Sequence, residues 1–108
     1  MSPIETLYSK LSGVTHHNAD GTSRQEIIAE LCYNGQQLLL IREPNQFSPD
    51  NIGVYIAYQV GYVSPDLARE LAPLIDAGGA VDARITDITG GMEDKPTRGV
   101  NVEFSVYD

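Results

Sequence analysis

The chain has 108 residues, a formal net charge of −8 from 7 Lys plus Arg against 15 Asp plus Glu, and a single cysteine. That length carries one hydrophobic core and excludes two. The acidic balance excludes a general attraction to phosphate backbones or anionic membranes, and a lone thiol excludes an internal disulfide or a thiolate metal cluster.

Met1 to Lys10 reads as a lead-in ahead of a single domain over residues 11–108, with Ile4, Leu7 and Tyr8 spaced for one helical turn behind a Ser2-Pro3 start signal. Leu11 to His16 is expected to be the first strand, ending in the turn Asn18-Ala19-Asp20-Gly21. Ser23-Arg24-Gln25-Glu26 matches a capping box, so a helix is expected to about Leu31 with Ile27, Ile28 and Leu31 facing inward. Leu38 to Ile41 is a continuous apolar run, the pattern of a strand covered on both faces or of a barrel stave rather than of a half-wet edge. After the polar segment Glu43 to Asn51, Ile52 to Ala57 and Gln59 to Val63 read as a β-hairpin.

Ser64 and Pro65 stand where an N-cap and a first helical residue belong, and the second helix is expected over residues 65–77. Leu67, Leu71, Leu74 and Ile75 then form its apolar stripe, Pro73 interrupts it, and Gly78-Gly79 ends it. Ala80 to Thr89 and Val100 to Val106 read as strands, the latter with strict alternation, joined by a charged hairpin tip. These elements predict a mainly β fold, a small OB-like or SH3-like antiparallel barrel flanked by two helices, because closure removes exposed sheet edges. No segment reaches the roughly 18 to 20 apolar residues of a membrane span and no basic stretch precedes an apolar leader, so a cytoplasmic protein is expected.

No catalytic constellation follows from spacing, and the expectation is a protein that is not an enzyme and has no cofactor. His16 and His17 are adjacent on an expected strand and so point to opposite faces, which does not build a metal site. Cys32 reads as a small buried hydrophobe rather than a nucleophile. Gly78-Gly79 and Gly90-Gly91 lack the Lys-Ser/Thr that completes a phosphate-binding loop, and Glu93-Asp94 beside Lys95 reads as a solvated tip.

Three segments in order resemble the HIRAN domain. They are Gly13-Val14-Thr15 leading through Asp20-Gly21-Thr22-Ser23-Arg24-Gln25-Glu26-Ile27-Ile28, then Leu40-Ile41-Arg42-Glu43-Pro44-Asn45 onward to Val54, then Gln59-Val60-Gly61-Tyr62-Val63 with Leu67-Ala68 and Leu71-Ala72. The resemblance covers nearly the whole chain and is to the free-standing bacterial branch. It implies an OB-like barrel that, in helicase-linked members, captures the 3′ end of single-stranded DNA through an aromatic residue stacked on a base and a following Asp that accepts from the terminal hydroxyl.

In this chain those positions read Phe47-Ser48, so the stacking face is kept and the carboxylate is not, with Asp50 two residues further on. Thr15-His16 stand where DNA-binding members carry Arg and Tyr, and Tyr62 and Pro65 where they carry His and Lys. The resemblance therefore implies a candidate site of Thr15, His16, Arg42, Asn45, Phe47, Ser48, Asp50 and Tyr62, with Arg42 as the nearest cation. The expected partner is single-stranded DNA bound weakly at its 3′ end, or alternatively a protein partner of a module that has lost the DNA pocket.

Overall fold

The computed structural model describes residues 2–107. In chain order it contains β1 (Glu5–Lys10), α1 (Arg24–Leu31), β2 (Gln37–Arg42), β3 (Ile52–Tyr55), β4 (Gln59–Tyr62), α2 (Pro65–Asp76), β5 (Ala80–Thr89) and β6 (Gly99–Tyr107). The strands form one six-stranded antiparallel sheet in the order β1-β6-β5-β2-β3-β4. The sheet curls into a half-barrel, and its two ends meet just past β1, where Ser12 and Tyr62 exchange both main-chain hydrogen bonds at 2.8 and 2.9 Å.

The strict alternation of β6 places Val100, Val102, Phe104 and Val106 inward, all buried, in the centre of the three-strand unit β1-β6-β5. Each such residue is stabilised by roughly 1.5 to 3 kcal/mol on leaving water, so this strand organises the core. Facing it in β5 are Ala83 and Ile85. The pairing then slips, from Ile85 opposite Val102 to Asp87 opposite Asn101. The bulge at Thr86 explains why the apolar positions of β5 shift from odd to even numbers at Ile88: one extra residue exchanges the two faces of the strand.

The lead-in is part of this sheet. Residues 5–10 pair with β6 along their full length, Glu5 opposite Val106 to Lys10 opposite Asn101. The expected helical turn is therefore corrected to a strand, and the first strand expected over residues 11–16 is corrected to a crossing segment that bonds β6 at Leu11 and β4 at Ser12 before turning away. Ile4, Leu7 and Tyr8 do not share a face: Leu7 packs on the core, whereas Ile4 and Tyr8 are exposed. The apolar run of β2 is likewise covered on one side only, with Leu38 buried and Leu39 and Ile41 exposed.

Helix α1 begins as its capping box predicts, with Ser23 Oγ accepting the Glu26 N–H at 3.3 Å. Ile27 and Ile28 are buried but Leu31 is exposed, so the inward face is narrower than expected. Helix α2 lies over the half-barrel on Ala68, Leu71 and Ala72, with Leu67 and Ile75 partly buried and Leu74 outside. Its end is closed by Gly79 N–H to Leu74 O at 2.8 Å and Gly78 N–H to Ile75 O at 3.0 Å, the double bond pattern of a glycine-terminated helix. Gly78 has φ of +87°, a conformation that a Cβ disfavours. Ser64 does not cap α2; its hydroxyl instead bonds the Ser9 hydroxyl at 3.0 Å and ties the helix start to β1.

Candidate functional site

The segment between β2 and β3 is polar and contains two prolines, and its backbone is held by local main-chain bonds together with side chains. Asn45 Oδ1 accepts the N–H groups of Phe47 and Ser48, both at 2.9 Å, which folds the tip around a side-chain-closed turn. Glu43 N–H bonds Asn51 O at 2.9 Å and closes the base of the loop. Behind it Arg42 donates to Pro49 O and Asn51 O, each at 2.9 Å, and grips both carboxylate oxygens of Asp76 at the end of α2. Arg42 thus braces the loop against α2.

This bracing leaves the Phe47 ring at the loop tip, 85% exposed. Beside it lies a groove of about 260 Å³ between Phe47, Ser48, Pro49, Asp50 and Asn51 on one wall and Val63, Pro65, Ala68 and Arg69 on the other. Three expected residues, Phe47, Ser48 and Asp50, line it together, and Asn45 shapes it from behind. Arg69 forms a solvent-exposed pair with Asp66 on α2, a contact worth little in water.

Tyr62, Thr15 and His16 are not in that lining. Thr15 and His16 are exposed in the turn after Ser12, where His16 N–H bonds Gly13 O. Tyr62 lies on β4 beneath the Arg24 guanidinium, whose carbon is 5.0 Å from the ring centroid. Sequence reasoning missed Arg24, the buried charge of α1, 5% exposed with no carboxylate in ion-pair reach among the described residues. Its charge is met by the ring, by Gly13 O at 2.9 Å and by Asn18 Oδ1 at 2.7 Å. The signal was present as an arginine directly after the Asn18 to Gly21 turn, but position in a capping box says nothing of burial.

Next to Tyr62 the outer face of β3 and β4 carries a second network. Tyr55 Oη donates to Glu43 Oε2, Gln59 Oε1 lies 3.2 Å from the same hydroxyl, and Gln59 Nε2 donates to Glu43 Oε1 at 3.4 Å and to Gly61 O at 3.1 Å. The hydrogen bond to the Glu43 carboxylate, with desolvation, pushes the Tyr55 hydroxyl up to about 12. Beneath this pair runs Gly53, where a Cβ would collide with the Glu43 carboxylate and the Tyr55 ring. Burial raises the Cys32 thiol to about 11, far from the thiolate a nucleophile needs. Among the described residues no three His, Cys, Asp or Glu side chains gather as a metal site, and no helix is long and apolar enough to cross a membrane.

No family model matches the chain, and no curated protein matches it. Among solved structures, the crystal structure of a protein from Lactobacillus plantarum, a structural genomics target, is similar over 96% of this chain and 95% of that one, with 19% identity and a TM-score of 0.62. A likeness at that identity establishes a shared fold and carries no function with it.

Proposed function

We propose that the chain is a non-enzymatic binding module of the HIRAN type, and that the groove beside Phe47 holds the 3′ end of single-stranded DNA weakly, through stacking more than through charge. The observation that carries this reading is the Phe47 ring, 85% exposed on a loop whose backbone is closed by Asn45 and Arg42. The core gains nothing from a ring held there, and a loop ordered in advance loses little entropy when a ligand stacks on it. Stacking of one base on such a ring contributes about 1 to 3 kcal/mol. Asp50 lines the same groove and supplies an acceptor for a terminal hydroxyl in place of Ser48.

Affinity is expected to be low because Arg42 is held by Asp76, Arg69 has the Asp66 carboxylate beside it, and the chain as a whole carries −8. Each missing phosphate contact removes part of the counterion-release term. The same pairing, together with Pro49, Val63, Pro65 and Ala68 in the groove, favours a second reading in which an apolar peptide segment of a protein partner occupies it.

Fluorescence anisotropy with short oligonucleotides at about 50 mM salt separates the two readings. The strand-end reading expects binding that needs a free 3′-hydroxyl, weakens as salt rises, and is lost in Phe47→Ala. Ser48→Asp should sharpen the preference for a 3′-hydroxyl over a 3′-phosphate, since a second carboxylate accepts from one and repels the other. Absence of binding by both the wild type and Ser48→Asp overturns the strand-end reading and leaves the protein-interaction module.

A further inference from the structure

At one end of the sheet, β1 pairs with β6 on one side, and among the described residues no strand lies on its other side. The pleat decides which main-chain groups face that open side. Leu11 N–H bonds Val100 O of β6 at 2.9 Å, so Ser9, Leu7 and Glu5 also face β6, whereas Ser12 N–H points the opposite way to Tyr62 O. Lys10, Tyr8 and Thr6 follow Ser12 in parity. The Thr6 and Tyr8 N–H and C=O groups are therefore directed out of the molecule. Ile4 N–H turns inward to Val106 O at 2.8 Å and takes no part. Near Lys10 the open side narrows, because Ser9 touches Ser64 and Ser12 closes on Tyr62.

We infer that this edge pairs with the β1 edge of a second copy of the chain, antiparallel about a two-fold axis at Leu7. A two-fold normal to the sheet keeps outer faces outer, so a residue can stand opposite only one of the same parity. Centring on Leu7 sets Thr6 opposite the second copy's Tyr8 and Tyr8 opposite its Thr6, each pair exchanging the outward hydrogen bonds. This register uses both free residues and avoids both the inward-turned Ile4 and the crowded end at Lys10. The side chains fit it. Thr6 and the 69% exposed Tyr8 stand on the outer face as β-branched and aromatic cross-strand partners, and the half-buried Leu7 meets its own copy on the inner face. Pairing also removes an open strand edge that carries neither proline nor bulge within Glu5–Lys10. Two chains of net charge −8 repel, so association should strengthen with salt, opposite to any DNA binding.

The test is sedimentation velocity of the full chain across a concentration series, with amide hydrogen exchange by NMR on the same samples. The expected wild-type result is a shift from an 11.8 kDa species toward twice that mass as concentration and salt rise. Thr6→Pro and Tyr8→Pro remove an outward N–H and no bond to β6, so each should stay monomeric with an unchanged circular dichroism spectrum. In the wild type, Thr6 and Tyr8 amides should become at least about tenfold more protected with concentration, while Leu7, bonded to β6, should not change. That exchange pattern decides the matter even if a proline variant fails to fold. A species of 11.8 kDa at every concentration, a dimer that survives both substitutions, or protection of Thr6 and Tyr8 independent of concentration overturns the inference. Protection brought by an added extended peptide with the chain still monomeric would overturn it too, assigning the edge to a foreign strand.

Discussion

Arg42 holds Asp76 through both carboxylate oxygens, at 2.8 and 3.0 Å, although the two residues are 34 apart in sequence. The contact joins the end of β2 to the last turn of α2, and the same guanidinium bonds the carbonyls of Pro49 and Asn51. One side chain therefore sets the position of the Phe47 loop relative to the helix that forms the other wall of the groove.

The hydrogen bond from Arg42 holds the Asp76 carboxyl below its ordinary value of 3.8. A folded-state pKa lowered in this way adds stability that is complete above the unfolded value and is lost as pH falls through the lowered one. The stability difference between wild type and Asp76→Asn should therefore be constant from neutral pH down to about 4 and shrink below it. Denaturant titrations at pH 7 and at acid pH check this; a difference that grows on acidification contradicts it. Arg42→Ala should also speed amide exchange at Asn51 and across the loop tip.

The Tyr55 hydroxyl has its pKa raised to about 12, chiefly by its bond to Glu43. A raised tyrosine stabilises the fold below the unfolded value of 10.0 and withdraws that stability as pH climbs through the raised one. Ultraviolet titration should show one tyrosine ionising about two units later than an exposed phenol, and Glu43→Gln should bring it back toward 10. Tyr55→Phe should abolish the late step and cost about 1 to 2 kcal/mol at neutral pH. Retention of the late step in Tyr55→Phe would assign it to another residue.

The two helix-start serines should respond differently to alanine. Ser23 accepts a backbone N–H, so Ser23→Ala should cost about 1 kcal/mol. Ser64 bonds no N–H of α2, so Ser64→Ala should lose only a hydroxyl pair with Ser9, about 0.5 kcal/mol. Chemical denaturation of both variants ranks them, and an equal loss would contradict the capping geometry.

Gly61 sits where β4 meets the crossing segment. A Cβ at this position would lie 2.7 Å from the Ser12 carbonyl oxygen and 3.2 Å from Val14. Gly61→Ala should push the seam apart and cost about 1 to 3 kcal/mol, with the Ser12 and Tyr62 amides losing exchange protection first. An alanine variant as stable as the wild type would show that the seam is not tightly closed.

Where one local pattern dominated, the sequence was readable: the alternation of β6, the Ser23 cap of α1, the start of α2 at Pro65 and the β3-β4 hairpin all stand in the structure. Three features were hidden for separate physical reasons. Ile4, Leu7 and Tyr8 have helical spacing, but Leu7 alone turns inward, and the strand is imposed by pairing with β6, a partner about a hundred residues away that local propensity does not see. Leu38 to Ile41 looked two-sided because a run of apolar residues does not say what lies over each face; nothing among the described residues covers Leu39 and Ile41 fully. Of the candidate site, the Phe47, Ser48 and Asp50 cluster followed from sequence proximity, whereas Tyr62 and Arg24 meet through a turn whose path is a tertiary property.

A side chain at Gly53 would run into the Glu43 carboxylate, which reaches over from just past the end of β2, and into the ring of Tyr55, two residues along the same strand. The constraint runs one way. A methyl group at position 53 must push aside the Glu43 carboxylate and the Tyr55 ring, and with them the hydroxyl-to-carboxylate bond that joins the two, whereas a smaller residue at 43 or 55 meets no obstacle while the glycine remains. Changes at this corner of the sheet are therefore expected to begin at Glu43 or Tyr55 and to reach Gly53 last.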